Sequence, residues 1–145
     1  MIVEKNDKYA FNVTKDSSVS AKATTISNGK LTDFDGMKYA LWTVSGQKWT
    51  NAGGSGKLHL QYSYRNRTYS YTSTNGTDVT LTKDGNYYKI QAGRYLTYYN
   101  GFSSSSSSGS QFYIYKITMV PGENYWSFTC QTPVNYTCTA VPYGN

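Results

Sequence analysis

Few side chains in this sequence are equipped for covalent chemistry. His59 is the only histidine, Cys130 and Cys138 are the only cysteines, and eight residues are acidic. His59 lies between Leu58 and Leu60 in an alternating run, so it points away from the face those leucines share. No Asp or Glu stands near it to complete a triad, and no Gly-x-Ser-x-Gly elbow exists. Asp33, Asp35 and Asp84 offer carboxylates of the kind that cleave glycosides. Asp35 and Asp84 each precede a glycine, however, as turn residues do. Asp33-Phe34-Asp35-Gly36 opens like a calcium loop, but its later ligand positions are not acidic. Gly53-Gly54-Ser55-Gly56-Lys57 has the glycines of a phosphate loop without the Walker spacing or the following Ser or Thr. The expectation is a non-enzyme with no catalytic residue, no metal site and no cofactor.

Binding chemistry is better represented. Sugar recognition needs an exposed aromatic ring to stack on the apolar face of a pyranose, with polar groups to fix its hydroxyls. Tyr98-Tyr99-Asn100 meets that need at the lip of an Asn100-Gly101 turn. Adjacent strand residues face opposite ways, so one of the two tyrosines is expected in solvent. Trp49 with Asn51, and Trp126 with Asn124, make the same offer elsewhere, although either tryptophan equally suits a core anchor. Cys130 and Cys138 flank Pro133-Val134-Asn135 symmetrically. In a hairpin centred there they would face each other at bridging distance. A disulfide is expected in an oxidising setting and two buried thiols in a reducing one.

The elements that must carry these residues read as strands. Tyr is frequent, at 16 of 145 residues, and only 15% of residues are charged. No window repeats apolar residues at helical spacing for long, so the chain reads as all-β. Lys8–Thr14, Lys38–Val44, Lys57–Tyr64, Thr68–Thr72, Asp78–Thr82, Tyr87–Gln91, Arg94–Tyr99 and Gln111–Ile117 are the expected strands. Leu31–Phe34 is read as a short one, and Met1–Glu4 as an apolar lead. Ser103–Ser108, six serines, is expected to be a solvated loop. The net charge of +6 is scattered, its densest group being Arg65-Asn66-Arg67. No basic stripe forms, so nucleic acid is not the expected partner. No apolar run is long enough to span a membrane. Ile-Val-Glu-Lys-Asn after Met1 lacks the regions of a secretory signal, as in a mature fragment given a start codon or a virion protein released by lysis.

An internal repeat organises the chain. Trp49 and Tyr88 are 39 residues apart, Tyr88 and Trp126 are 38 apart, and 38 residues before Trp49 stands Phe11. Gly29-Lys30-Leu31, Gly56-Lys57-Leu58 and Gly93-Arg94-Tyr95-Leu96 fall between these marks. Leu41–Val44, Val79–Leu81 and Phe112–Ile114 then close each unit. Three units of about forty residues, each with several short strands, fit a closed, pseudo-symmetric barrel. The expected fold is a β-trefoil-like barrel over residues 1–120, with 121–145 as a C-terminal hairpin or the start of a further module. An Ig-like or jelly-roll sandwich is the alternative.

Units of this form resemble the ricin-type β-trefoil lectins and related repeats of bacterial surface and phage proteins. Gln111-Phe112-Tyr113 stands where that family places Gln-x-Trp. The family's sugar-binding Asp and Asn are not carried over to any unit, so the resemblance speaks to fold more than to ligand. It implies a lectin-like binding module. The combined expectation is a non-catalytic, secreted or surface-exposed module for a glycan or glycoprotein, with a homo-oligomer left open. The rival is a structural surface component, such as a virion decoration or fibre protein or an adhesin repeat.

Overall fold

The computed structural model describes residues 1–24, 26–27, 30–31, 34–119 and 126–131, with side chains for 1–24 and 36–116. The chain is all-β. Its strands are β1 (Ile2–Glu4), β2 (Tyr9–Lys15), β3 (Ser18–Ala23), β4 (Ile26–Ser27), β5 (Lys30–Leu31), β6 (Trp42–Ser45), β7 (Lys48–Asn51) and β8 (Lys57–Ser63). They continue as β9 (Thr68–Ser73), β10 (Thr80–Asp84), β11 (Tyr87–Ala92), β12 (Arg94–Tyr98), β13 (Phe102–Ser105), β14 (Phe112–Met119) and β15 (Trp126–Gln131). One helical turn, α1 (Phe34–Met37), runs into a 3-10 turn over Lys38–Ala40.

The same pairings occur three times. Strands β1, β2 and β3 lie side by side, as do β7, β8 and β9, and then β11, β12 and β13, all antiparallel. Each set is joined to the strand before it: β6 pairs β7, β10 pairs β11, and β14 pairs β1. The last of these links brings β1 against β14 in an eleven-stranded sheet that curls into a nearly closed barrel, while β6, β7, β8 and β9 form a separate four-stranded sheet. Beyond it, β14 runs on to pair β15, which in turn pairs β5.

The pairing moves the start of the repeat. Met1–Glu4 is not a lead but the first strand, set opposite Phe112–Ile114. Phe11, which sequence spacing aligns with Trp49 and Tyr88, sits one strand later, in β2. Lys38–Val44 is not one strand either. Its first half is the 3-10 turn, Leu41 is the extended residue that ends it, and the paired strand begins at Trp42. Space explains this. Ala10 on β2 leaves room above it, and Met37, Ala40 and Leu41 fill that room against Val3 and Tyr115. A strand there would present half its side chains to water. The turn is fixed by Asn51, whose Nδ2 donates to Tyr39 O at 2.8 Å while its Oδ1 accepts the Gly53 N–H at 2.8 Å.

The main core lies inside the barrel. Phe11 is its hub, stacked on Trp42 at 5.8 Å and tilted against Phe102 at 5.2 Å and Tyr71 at 5.9 Å. Ile2, Trp49, Leu58, Leu60, Ile90, Leu96 and Phe112 pack around it. With a second cluster behind it, β2 is buried on both faces from Ala10 to Val13.

The turn between β1 and β2 depends on Glu4. Its carboxylate is buried, 1% exposed, and accepts the N–H groups of Asn6 and Lys8 at 2.8 Å and Tyr9 at 3.0 Å. Asp7, in the left-handed region at φ 61°, closes the loop onto Glu4 O. Removing a buried, charged acceptor forfeits three hydrogen bonds to part-buried N–H groups at once. Glu4→Ala should therefore lower unfolding free energy by about 3 kcal/mol, and Glu4→Gln by roughly half that, since one amide oxygen still accepts. Urea denaturation of the two variants measures both shifts.

Candidate functional site

Asn100 adopts φ 53° and Gly101 φ 156°, which reverses the chain between β12 and β13. Strand β12 therefore ends at Tyr98 and the turn lifts Tyr99 clear of the surface, where it is 90% exposed. Tyr98 faces the other way. It is half-buried, with its ring 4.8 Å from that of Phe102. Its N–H donates to Ser110 Oγ at 2.9 Å. Burial raises the pKa of its hydroxyl, and the nearby Glu4 carboxylate adds to the rise.

The lip borders a groove of ≈ 600 Å³. Lys5 and Asn6 from the β1–β2 turn, Asp84 at the end of β10, Lys89 on β11, and Ser110 and Gln111 before β14 complete its wall, with Glu4 beneath. Antiparallel pairing of β10 with β11, and of β11 with β14, brings the middle group together. Gln111 Nε2 donates to Asp84 Oδ2 at 3.0 Å, and Lys89 Nζ lies 3.8 Å from the same oxygen. Among the described residues nothing bonds Asp84 Oδ1, which leaves an acceptor at the groove. One aromatic face, one anchored carboxylate and several amides and amines thus surround a single cleft. Vicinal hydroxyls fit such a set, because a carboxylate accepts from both and amides can donate or accept.

Of the residues expected from the sequence, Tyr98, Tyr99 and Asn100 all reach this groove. Trp49 does not: it is 6% exposed, in the core beside an apolar cavity that Trp42, Val79 and Leu81 also line. Asn51 is 3% exposed and its amide is occupied by the Tyr39 turn, so this pair offers no surface for a sugar. The side chains of Trp126 and Cys130, the residue Cys138, and with them the proposed disulfide, lie outside the described residues, as do Asp33 and the side chain of Asp35. His59 is half-buried and bonds Thr77 Oγ1 and, at 3.0 Å, Gln61 Oε1. The serine run is not wholly a loop. Ser103–Ser105 lie in β13, and buried Ser104 receives Arg94 Nε on its hydroxyl at 2.9 Å and Nη2 on its carbonyl at 3.0 Å.

Sequence reasoning missed Asp84, Lys89 and Gln111 as partners in a site. Asp84 before Gly85 reads as a turn residue, and its turn is real; only the topology sets Gln111 beside it. No helix among the described residues is long and apolar enough to cross a membrane. The chain matches no family model, no curated protein and no solved structure.

The two tyrosines separate packing from display. Tyr98→Ala should lower stability by about 2–3 kcal/mol, by loss of an aromatic contact and of buried area. Tyr99→Ala should leave it within about 0.5 kcal/mol of the parent. Thermal and urea unfolding of the pair test this directly.

Proposed function

We propose that this chain is a non-catalytic carbohydrate-binding module on a β-trefoil-like barrel, acting at a cell or virion surface. The observation that carries the reading is the groove at Tyr99. An almost fully exposed ring lines the same groove as a carboxylate held by Gln111 and Lys89, whose second oxygen has no partner among the described residues. An aromatic ring displayed in water has no packing role to account for it. Placed beside fixed hydrogen-bonding groups, it supplies the stacking half of a sugar site, and Asp84 with Asn100 and Gln111 supplies the polar half.

The β-trefoil reading rests on the threefold recurrence of the pairings. Each unit gives three adjacent strands and a fourth that pairs with the next unit's first, the third unit returning to β1. A sandwich would instead keep two separate faces packed across a core. The rival role, a structural component of a surface assembly, predicts a defined oligomer and no selective glycan.

A glycan array read together with light scattering on the same sample separates these roles. The expected result is selective binding by the parent. Binding should fall at least tenfold in both Tyr99→Ala and Asp84→Asn, with unfolding midpoints unchanged. A parent that binds no glycan and forms a fixed oligomer would establish the structural role instead.

A further inference from the structure

The hairpin of β8 and β9 carries a second group of displayed rings. Leu58 and Leu60 point into the core from the first part of β8; the register with β9 then shifts between Leu58 and Gln61, and Tyr62 and Tyr64 follow beyond that irregularity. Leu58 and Leu60 are fully buried, Tyr62 is half-buried and Tyr64 is 80% exposed. The hairpin therefore leaves the core beyond the irregularity, and its large side chains change from leucine to tyrosine as it does so. Tyr69 stands opposite Tyr62 across the hairpin. The Tyr62 ring lies 4.8 Å from Tyr64, edge-on, and 4.6 Å from Tyr69.

One cation packs on these rings and two more lie on the turn beyond them. The Arg94 guanidinium sits 5.7 Å from the centroids of both Tyr62 and Tyr69 while its nitrogens are held by Ser104. It fixes the rings from below. Arg65 and Arg67 sit on the exposed turn between the strands, Arg67 in the left-handed region at φ 51°. Among the described residues neither arginine has a carboxylate partner. Packing against Arg94 accounts for Tyr62 and Tyr69, but it does not account for an 80% exposed Tyr64 on a turn whose two arginines have no carboxylate partner among the described residues.

The geometry points to a second binding surface at this hairpin tip, whose occupant is an acidic sugar. Tyr64 and Tyr69 take the C–H face of the pyranose, and Arg65 and Arg67 take its carboxylate or sulfate, the anions that a guanidinium fork fits best. A polynucleotide is a poorer fit. Strong phosphate binding draws on a series of about 6–10 contacts, whereas this cluster is compact and the remaining Lys and Arg are scattered over the sequence. One anion beside one ring matches what the tip presents. The surface uses none of the residues that line the groove at Tyr99.

The test titrates the full chain with four probes at low and physiological salt: a sialylated trisaccharide, its neutral core, a sulfated oligosaccharide and a single-stranded oligonucleotide. At least one acidic sugar should bind ten times more tightly than the neutral core and should weaken as salt is raised. Arg65→Ala with Arg67→Ala, and separately Tyr64→Ala, should each reduce that affinity at least tenfold without moving the unfolding midpoint. Tyr99→Ala should leave it unchanged, so this site and the groove can fail independently. The sialylated and sulfated probes distinguish which anion is read. Equal binding of acidic and neutral sugars, or full binding by the hairpin variants, overturns the proposal. An oligonucleotide that binds as tightly as the acidic sugars, and is lost in the same variants, also overturns it by assigning the tip to nucleic acid.

Discussion

The antiparallel contact of Ile2–Glu4 with Phe112–Ile114 is the constraint on which the barrel depends. It joins segments more than a hundred residues apart. Closing so long a loop costs entropy, though the cost grows only with the logarithm of length. Fully buried Ile2 and Val3 offset it, and Glu4 adds three hydrogen bonds at the point where the chain turns into β2. Without this seam β14 would lose one neighbour, and the Phe112 and Ile114 side chains would lose the wall they pack against. The groove would suffer too, because Lys5 and Asn6 follow directly from the seam and Gln111 precedes it.

What could be read from the sequence follows the range of each interaction. The all-β class, the turn at Asn100-Gly101 and the display of one of the two tyrosines at its lip are local properties, set by side-chain period and by φ preference. Strand β1 was not legible, because three apolar residues gain strand character only from partners at the other end of the fold. Lys38–Val44 alternates well enough for a strand, yet its first half coils because Ala10 leaves a space that Met37 and Ala40 fill. Ser103–Ser105 has the composition of a loop, but β12 supplies a ladder and Arg94 supplies a bonding partner. In the site, the aromatic half was visible and the polar half was not. Asp84 and Gln111 are 27 positions apart, and nothing in either neighbourhood announces the other.

The tyrosines divide into two populations by the same physics. Where a strand stays within the barrel, its stripe is Phe, Leu or Ile, with Tyr71 able to stay because its hydroxyl reaches Phe102 O. Where a hairpin or turn leaves the barrel, as at Tyr64 and Tyr99, tyrosine takes over from those residues. A phenol tolerates both environments, with an apolar body and a polar tip. In the proposed reading the barrel is the frame and recognition falls to its turns, where a ring is displayed at little cost to the core. Each proposed surface combines such a ring with charge: a fixed carboxylate at the groove and free guanidinium groups at the hairpin tip.

The seam also dictates when the fold can form. Strands β7 to β13 pair with near neighbours and can gather as they emerge during synthesis, but β1 must wait for β14. Until residues 112–114 have cleared the ribosome, the opening strand has its β2 edge satisfied and its other edge bare. Pairings of such high sequence separation are slow to form and leave strand edges exposed in the meantime. The nascent chain therefore carries an unsatisfied edge on β1 until β14 is made, which places the closing of the barrel late in its folding.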